Sequence, residues 1–217
     1  MTTGNKLDKK TPEHARVYLF NRPGAHNTIK VIHAVKQRIR LGDISKVLVA
    51  SESGRLALEL RRALGRTQIV CVTNDEETRR RYRKPALMKD ELQKQGIVVV
   101  DTVSEPLCRE LVFRNWWEEE TIRVPGPSAD LFWMSLICVG GHGLRTAVEI
   151  VFMAVQGGVV AVGEKVVSIA GTGWGADSAI VMTASRFEDA VGMDPEKRMK
   201  IEEILAMPKH TLWAGYH

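Results

Sequence analysis

Along the first hundred residues, short β-type runs alternate with stretches of helical apolar spacing. Val17-Tyr18-Leu19-Phe20 is the first run, and the turn cluster Asn21-Arg22-Pro23-Gly24 ends it. Ile32, Val35 and Ile39 recur at helical spacing with Ile29 one turn ahead, which predicts a helix that Asn27 or Thr28 can cap, before Gly42. Val47-Leu48-Val49-Ala50 reads as a strand. Ser51-Glu52-Ser53-Gly54 leads from it into a helix with Leu56, Ala57, Leu60, Ala63 and Leu64 inward, stopped by Gly65. Ile69-Val70-Cys71-Val72 is the next strand. A basic stretch then passes through Pro85 into a helix ending at Gly96, and Ile97-Val98-Val99-Val100 has the unbroken apolar character of a strand covered on both faces. Strands separated by helices in this way predict an α/β protein with a central, mostly parallel sheet.

The pattern changes after Val100. Leu107, Leu111 and Val112 permit a helix between Thr102 and Val124, and Pro125-Gly126-Pro127 breaks it. Ser128 can cap a helix containing Leu131, Phe132, Met134, Ser135 and Leu136, and a second helix runs from Leu144 to Gln156 after Gly140-Gly141-His142-Gly143. Two β runs, Val166 to Ala170 and Ala179 to Thr183, flank a Gly-rich turn and predict a hairpin near the C-terminus. Apolar residues at 201, 204, 205 and 207 fit a helix or a strand. The expected organisation is a mobile tail over residues 1–15 and one three-layer α/β domain over residues 16–217.

Composition narrows the class. The 217 residues are 44% hydrophobic and 26% charged, an ordinary globular balance, and Cys71, Cys108 and Cys138 lack the close spacing of zinc or dithiol sites. They read as buried thiols of a reducing compartment. The polar N-terminus has no signal-peptide core, so a cytoplasmic location is expected. The apolar stretches around Leu131 to Val139 and Ile150 to Val155 are each shorter than the roughly 20 residues of a membrane span, and none is expected. The net charge of +5 is localised: residues 55–94 hold eleven Lys or Arg and six Asp or Glu, while the remainder holds twenty of each. The densest part, Arg79 to Lys84, is either a solvated helix and loop face or an anion-facing surface. No nucleic-acid-binding fingerprint accompanies it, and a nucleic-acid partner is not expected.

Two Gly-containing junctions carry the candidate chemistry. Ser51, Glu52, Ser53, Gly54 and Arg55 link a strand to a helix start, where backbone N–H groups at the positive end of the helix dipole suit a phosphate and Arg55 can add a bidentate contact. The same residues also describe an ordinary capped helix. Gly171, Thr172, Gly173, Trp174, Gly175 and Ala176 have the G-x-G-x-x-A spacing of dinucleotide folds, but a β run follows where that fingerprint requires a helix. With Asp177 they read as a loop whose backbone can approach a ligand, and Trp174 at its tip is either a stacking surface or a cover for the sheet edge. His142, between Gly141 and Gly143, is a hydrogen-bonding group or a base. Glu149 lies among apolar residues and needs a partner, either a salt bridge or a ligand. The sequence holds no catalytic triad context and no metal-ligand motif, so neither a catalytic residue nor a metal site is expected.

The order of these features resembles the C-terminal α/β domain of pyruvate kinase. There a strand ends in a T-x-S/T-G-R phosphate loop, the next ends in V-T, and a late T-G-W loop closes over a sugar phosphate. The matching residues are Ser51, Ser53, Gly54 and Arg55, then Ile69 to Thr73, then Thr172, Gly173 and Trp174, with Leu56 where a hydroxyl usually follows the Arg. From Val17 to Pro208 the chain is similar to stand-alone prokaryotic relatives of that domain. These share an F-N-x-P-G...N-T segment (Phe20, Asn21, Pro23, Gly24, Asn27, Thr28), a G-H-G-L-[KR]...V-E-I helix (Gly141 to Arg145, Val148 to Ile150), a G-A-D-[ST]-A loop (Gly175 to Ala179) and a terminal M-P, Met207-Pro208. The resemblance implies a flavin mononucleotide (FMN) binder. It implies a binding or sensor module for a phosphorylated small molecule, with a flavin-dependent oxidoreductase or a sugar phosphate or nucleotide regulator as alternatives. Pyruvate kinase activity is not expected, because 217 residues used by this domain leave no room for the catalytic barrel. Trp116, Trp117, Phe132 and Trp133 concentrate in one segment, and with the subunit contacts of pyruvate kinase they suggest a homo-oligomer.

Overall fold

A computed structural model describes residues 17–101, 110–114, 121–125, 127–192 and 194–210. Seven strands form one sheet, in the order β1 (Tyr18–Phe20), β9 (Lys200–Pro208), β8 (Ser178–Thr183), β7 (Lys165–Ala170), β2 (Lys46–Ala50), β3 (Gln68–Val72) and β4 (Val98–Val100). Only β8 runs antiparallel to its neighbours. The expected mostly parallel sheet and C-terminal hairpin are therefore both present, and the ambiguous stretch after Met199 is strand β9.

Side chains of the central strands alternate between two cores, as the two-residue strand period requires. Val47, Val49, Ile69, Cys71, Val167 and Ile169 face α1 (Thr28–Ile39), α2 (Arg55–Leu64) and α4 (Lys89–Lys94). Leu48, Val70, Val72, Val166, Ile180 and Met182 face α5 (Pro127–Gln156). Helices thus cover both faces. In α2 the expected Leu56, Ala57 and Leu60 are buried, and Gly65 ends the helix. In α1 the buried stripe is Val31, Ala34, Val35 and Arg38, and Ile29 is exposed instead of inward. Ile29 lies on the side of the helix away from that stripe, Ile32 and Ile39 are half-buried at its flank, and Arg38 takes an inward position where Asp43 (2.6 Å) and Glu203 (2.9 Å) pair with its guanidinium. Those pairings raise the Arg38 pKa, and Arg38 in turn holds Asp43 below the usual carboxylate range.

Between Val100 and Pro127 the described residues form β5 (Glu110–Arg114) and β6 (Thr121–Pro125), an antiparallel pair beside α5. Leu111 and Val112 are therefore in a strand and not in the helix that their spacing permits; Leu107, Cys108, Trp116 and Trp117 lie outside the described residues, as do 1–16. The two predicted helices after Pro127 are the halves of α5, which breaks at Gly141 (φ 75°). The break folds the helix back: Trp133 and Phe152, nineteen residues apart, have ring centroids 6.2 Å apart. Leu131–Gln156 is long and apolar enough to cross a membrane by length and composition, although the two predicted pieces were each too short; 61% of its apolar window is buried inside the protein. Phe132 and Trp133 pack against Phe152 and Phe187; Trp133 is buried in the core instead of facing an interface, and Phe132 is half-buried.

Candidate functional site at the C-terminal edge of the sheet

The chain steps outward from β2 through α2 to β3 and on to β4, then returns by way of α5 to β7 on the other side of β2. The direction of winding therefore reverses between β2 and β7, and open α/β sheets form their ligand crevices at the strand C-termini of such a point. β2 and β7 are parallel neighbours with Val49 opposite Ile169, so the Ser51–Gly54 and Gly171–Asp177 loops leave the same edge side by side.

The first loop is tightly made. Ser51 Oγ accepts the Gly54 amide (3.1 Å) and Ser53 Oγ accepts the Arg55 amide (3.4 Å), so both hydroxyls help to turn the chain. Gly54 is left-handed (φ 82°), and a Cβ there would meet Leu92 Cδ1 at 2.7 Å. Only glycine lets α2 start this close to α4. Glu52 turns toward β3: it accepts Thr73 Oγ1 (3.0 Å) and the Asn74 Nδ2 amide, which leaves Thr73 buried as a partner of the loop. Arg55 is exposed at the helix start.

The second loop is clipped onto the β1–α1 connection. Asp177 is 0% exposed; its Oδ2 accepts the amides of Gly24 (2.8 Å) and Thr172 (3.0 Å), and its Oδ1 accepts the Ser178 hydroxyl (2.9 Å). Thr28 Oγ1 accepts the Ala176 amide at 2.9 Å, and a Cβ on Gly175 (φ 71°) would meet that oxygen at 2.5 Å. Thr28 thus serves the loop and not the α1 cap, while Asn27 Nδ2 donates to the Arg22 carbonyl and makes no side-chain cap bond either. Asp177 and Ala176 are the loop's anchors; Gly173 and Trp174 are its free tip. Nothing lies within 4 Å of a Cβ built on Gly173, and Trp174 is 71% exposed. A Cβ on Gly171 would strike the Gly175 carbonyl, so this glycine permits the loop to close on itself.

The break in α5 brings Gly141, His142 and Gly143 to the same edge. Gly143 is buried against Asp177 and Ser178, where a Cβ would clash with both side chains, and His142 next to it is half-buried. Glu149 has its salt bridge: Arg145 lies 2.9 Å away, with its guanidinium 5.1 Å from the Trp133 ring centre. Burial pushes the Glu149 carboxyl above its ordinary range, against the opposing pull of Arg145. Asn21 is remote from Ser51, because β1 stands four places from β2 in the sheet; its Oδ1 accepts Lys209 Nζ at 3.3 Å.

Three contributors escaped the sequence reading. Asn74 and Gly24 carry hydrogen bonds that depend on residues 22 and 153 positions away, and no local pattern marks them. Arg79, in α3 (Glu76–Arg81), was only one of a basic run; its Nε is buried with no hydrogen-bond partner among the described residues. Cys71, beneath the first loop, is buried, and burial together with the Glu52 charge pushes its thiol up to about 12, which makes it unreactive. Cys138, expected to be a buried thiol as well, is exposed on the first half of α5. At the opposite edge of the sheet a cavity of about 390 Å³ opens between Lys46, Val155, Val159, Glu164 and Arg186. Lys46 there is already bound by Glu164 (2.9 Å) and the Val159 carbonyl (2.8 Å). Among the described residues no group of three or more His, Cys, Asp or Glu could hold a metal ion.

Fold and edge together define an α/β protein with helices on both faces of a mostly parallel seven-stranded sheet. No family model matches the chain.

Proposed function

We propose that this protein binds a phosphorylated ring compound, FMN first among candidates, at the C-terminal ends of β2 and β7, as a binding or sensor module of the pyruvate kinase C-terminal type. The observation that carries the reading is the parallel pairing of β2 with β7 at the winding reversal, with a helix-start loop on one strand and a Gly-rich loop on the other. The residues present suit such a ligand. The amides of Leu56 and Ala57 precede the first backbone bond of α2, Leu58 N to Gly54 O, so they belong to the unpaired first turn that attracts anions. Arg55 supplies a positive charge beside them, and Trp174 supplies an exposed ring on a loop with room at Gly173.

The test is a fluorescence titration of FMN against riboflavin, with the visible spectrum of the purified protein. FMN is expected to bind more tightly by at least about tenfold, since charged hydrogen bonds contribute roughly 1.5–3 kcal/mol each. Arg55→Ala should weaken FMN and leave riboflavin unchanged. Equal affinity for the two removes the phosphate from the first loop, and failure of both removes flavin.

A further inference from the structure

The basic run from Arg79 to Lys84 lies in a strap with both feet on the first loop. At one foot Asn74 donates to Glu52; at the other the Met88 amide donates to the Ser53 carbonyl at 3.1 Å. Between the feet, only three residues separate β3 from α3, with Asp75 Oδ1 accepting the Thr78 amide at 2.9 Å, so the strap begins at the strand C-termini and returns to them. Of its cations only Arg80 has an ion-pair partner among the described residues, the exposed Glu76 at 3.0 Å. Arg81, Arg83 and Lys84 are exposed and have none, and Tyr82 beneath Arg81 is exposed as well. From Asn74 to Met88 the strap holds five Lys or Arg against three Asp or Glu, and all five cations fall within the six residues 79–84. A cluster of positive charge therefore lies beside the candidate crevice.

We propose that this strap is the anion collector of the site: it draws a phosphorylated ligand in by long-range attraction and delivers it to Ser51–Arg55. This rests on the phosphate-binding reading above. Charge on the ligand then sets how fast it arrives, and the two loops set how fast it leaves. A cluster of one sign beside a cleft raises association rates by 10 to 1,000-fold, and the attraction reaches about 30 Å at 0.01 M salt but only about 3 Å at 1 M.

Stopped-flow FMN binding separates arrival from departure. The double variant Arg81→Glu/Lys84→Glu changes two exposed side chains that touch neither loop. At low salt its association rate should fall by about tenfold, with the dissociation rate unchanged and the difference shrinking below about twofold at 1 M salt. Arg81→Lys/Lys84→Arg should keep the wild-type rate, and so should Lys36→Glu, on the last turn of α1 at the opposite sheet edge. An unaltered association rate at low salt overturns the collector. So does a change confined to dissociation, which would make these residues ligand contacts. Wild-type protein that binds no FMN at all removes flavin from the site, and the collector of an FMN phosphate with it.

Discussion

Glu149 shows what a single charge costs in this fold. It sits on the buried half of α5 with one partner, Arg145, yet its carboxyl is pushed above the ordinary 4.5 because burial outweighs that partner. A carboxyl whose folded pKa is raised contributes stability that is complete below the unfolded value and is lost as pH climbs through the folded one. Stability should therefore decline as pH rises above about 4.5, and Glu149→Gln, which keeps the shape and removes the charge, should flatten that decline. Urea midpoints measured from pH 4.5 to 7 check this; a variant with the wild-type slope would contradict it. Asp43 works in the opposite sense, since Arg38 lowers its pKa and the stability it contributes is lost as pH falls.

At the scale of elements, the two halves of α5 and the Gly-rich loop are fitted together through glycines. Gly143→Ala would drive a methyl group into Asp177 and Ser178, whose positions hold the loop to Gly24. Overpacking of this kind costs about 1–3 kcal/mol, so the melting temperature should fall by roughly 2–12 °C at about 2–4 °C per kcal/mol, which calorimetry would register. An unchanged melting temperature would mean that the helix break can move. Elements whose burial follows local periodicity were legible in the sequence: β2, β3, β4, α2 and the β7–β8 hairpin. Those that depend on distant partners were not. Arg38 faces inward between Asp43 and Glu203, the second of them 165 positions on, and β9 is a strand because β8 and β1 flank it. The two Gly-containing loops were legible as candidates, while Glu52 meeting Asn74 and Asp177 meeting Gly24 required the topology.

On the whole molecule, the first half of α5 leaves an apolar face outward. Leu131 is 69% and Val139 62% exposed, with Met134 and Cys138 between them, and no charged residue occurs from Leu131 to Leu144. We propose that a second copy covers it, since an uncharged patch can meet its own equivalent across a two-fold axis. Light scattering should give a mass above 24.2 kDa that rises with concentration, and Leu131→Glu/Val139→Glu should restore the single-chain value. A constant 24.2 kDa for the wild type would sink the idea. The pairing of β1 with β9 has a different kind of consequence. Tyr18 lies opposite Ala206 and Gly24 is held by Asp177, so the earliest strand of the sheet has nothing to pair with until nearly two hundred residues have followed it. During synthesis, β1 and the turn after it must wait at the growing chain's rear while β2, β3 and β4 can already assemble. Closing that long loop makes the final edge of the sheet a late event, and an interrupted chain would keep Val17 and Leu19 in search of a neighbour.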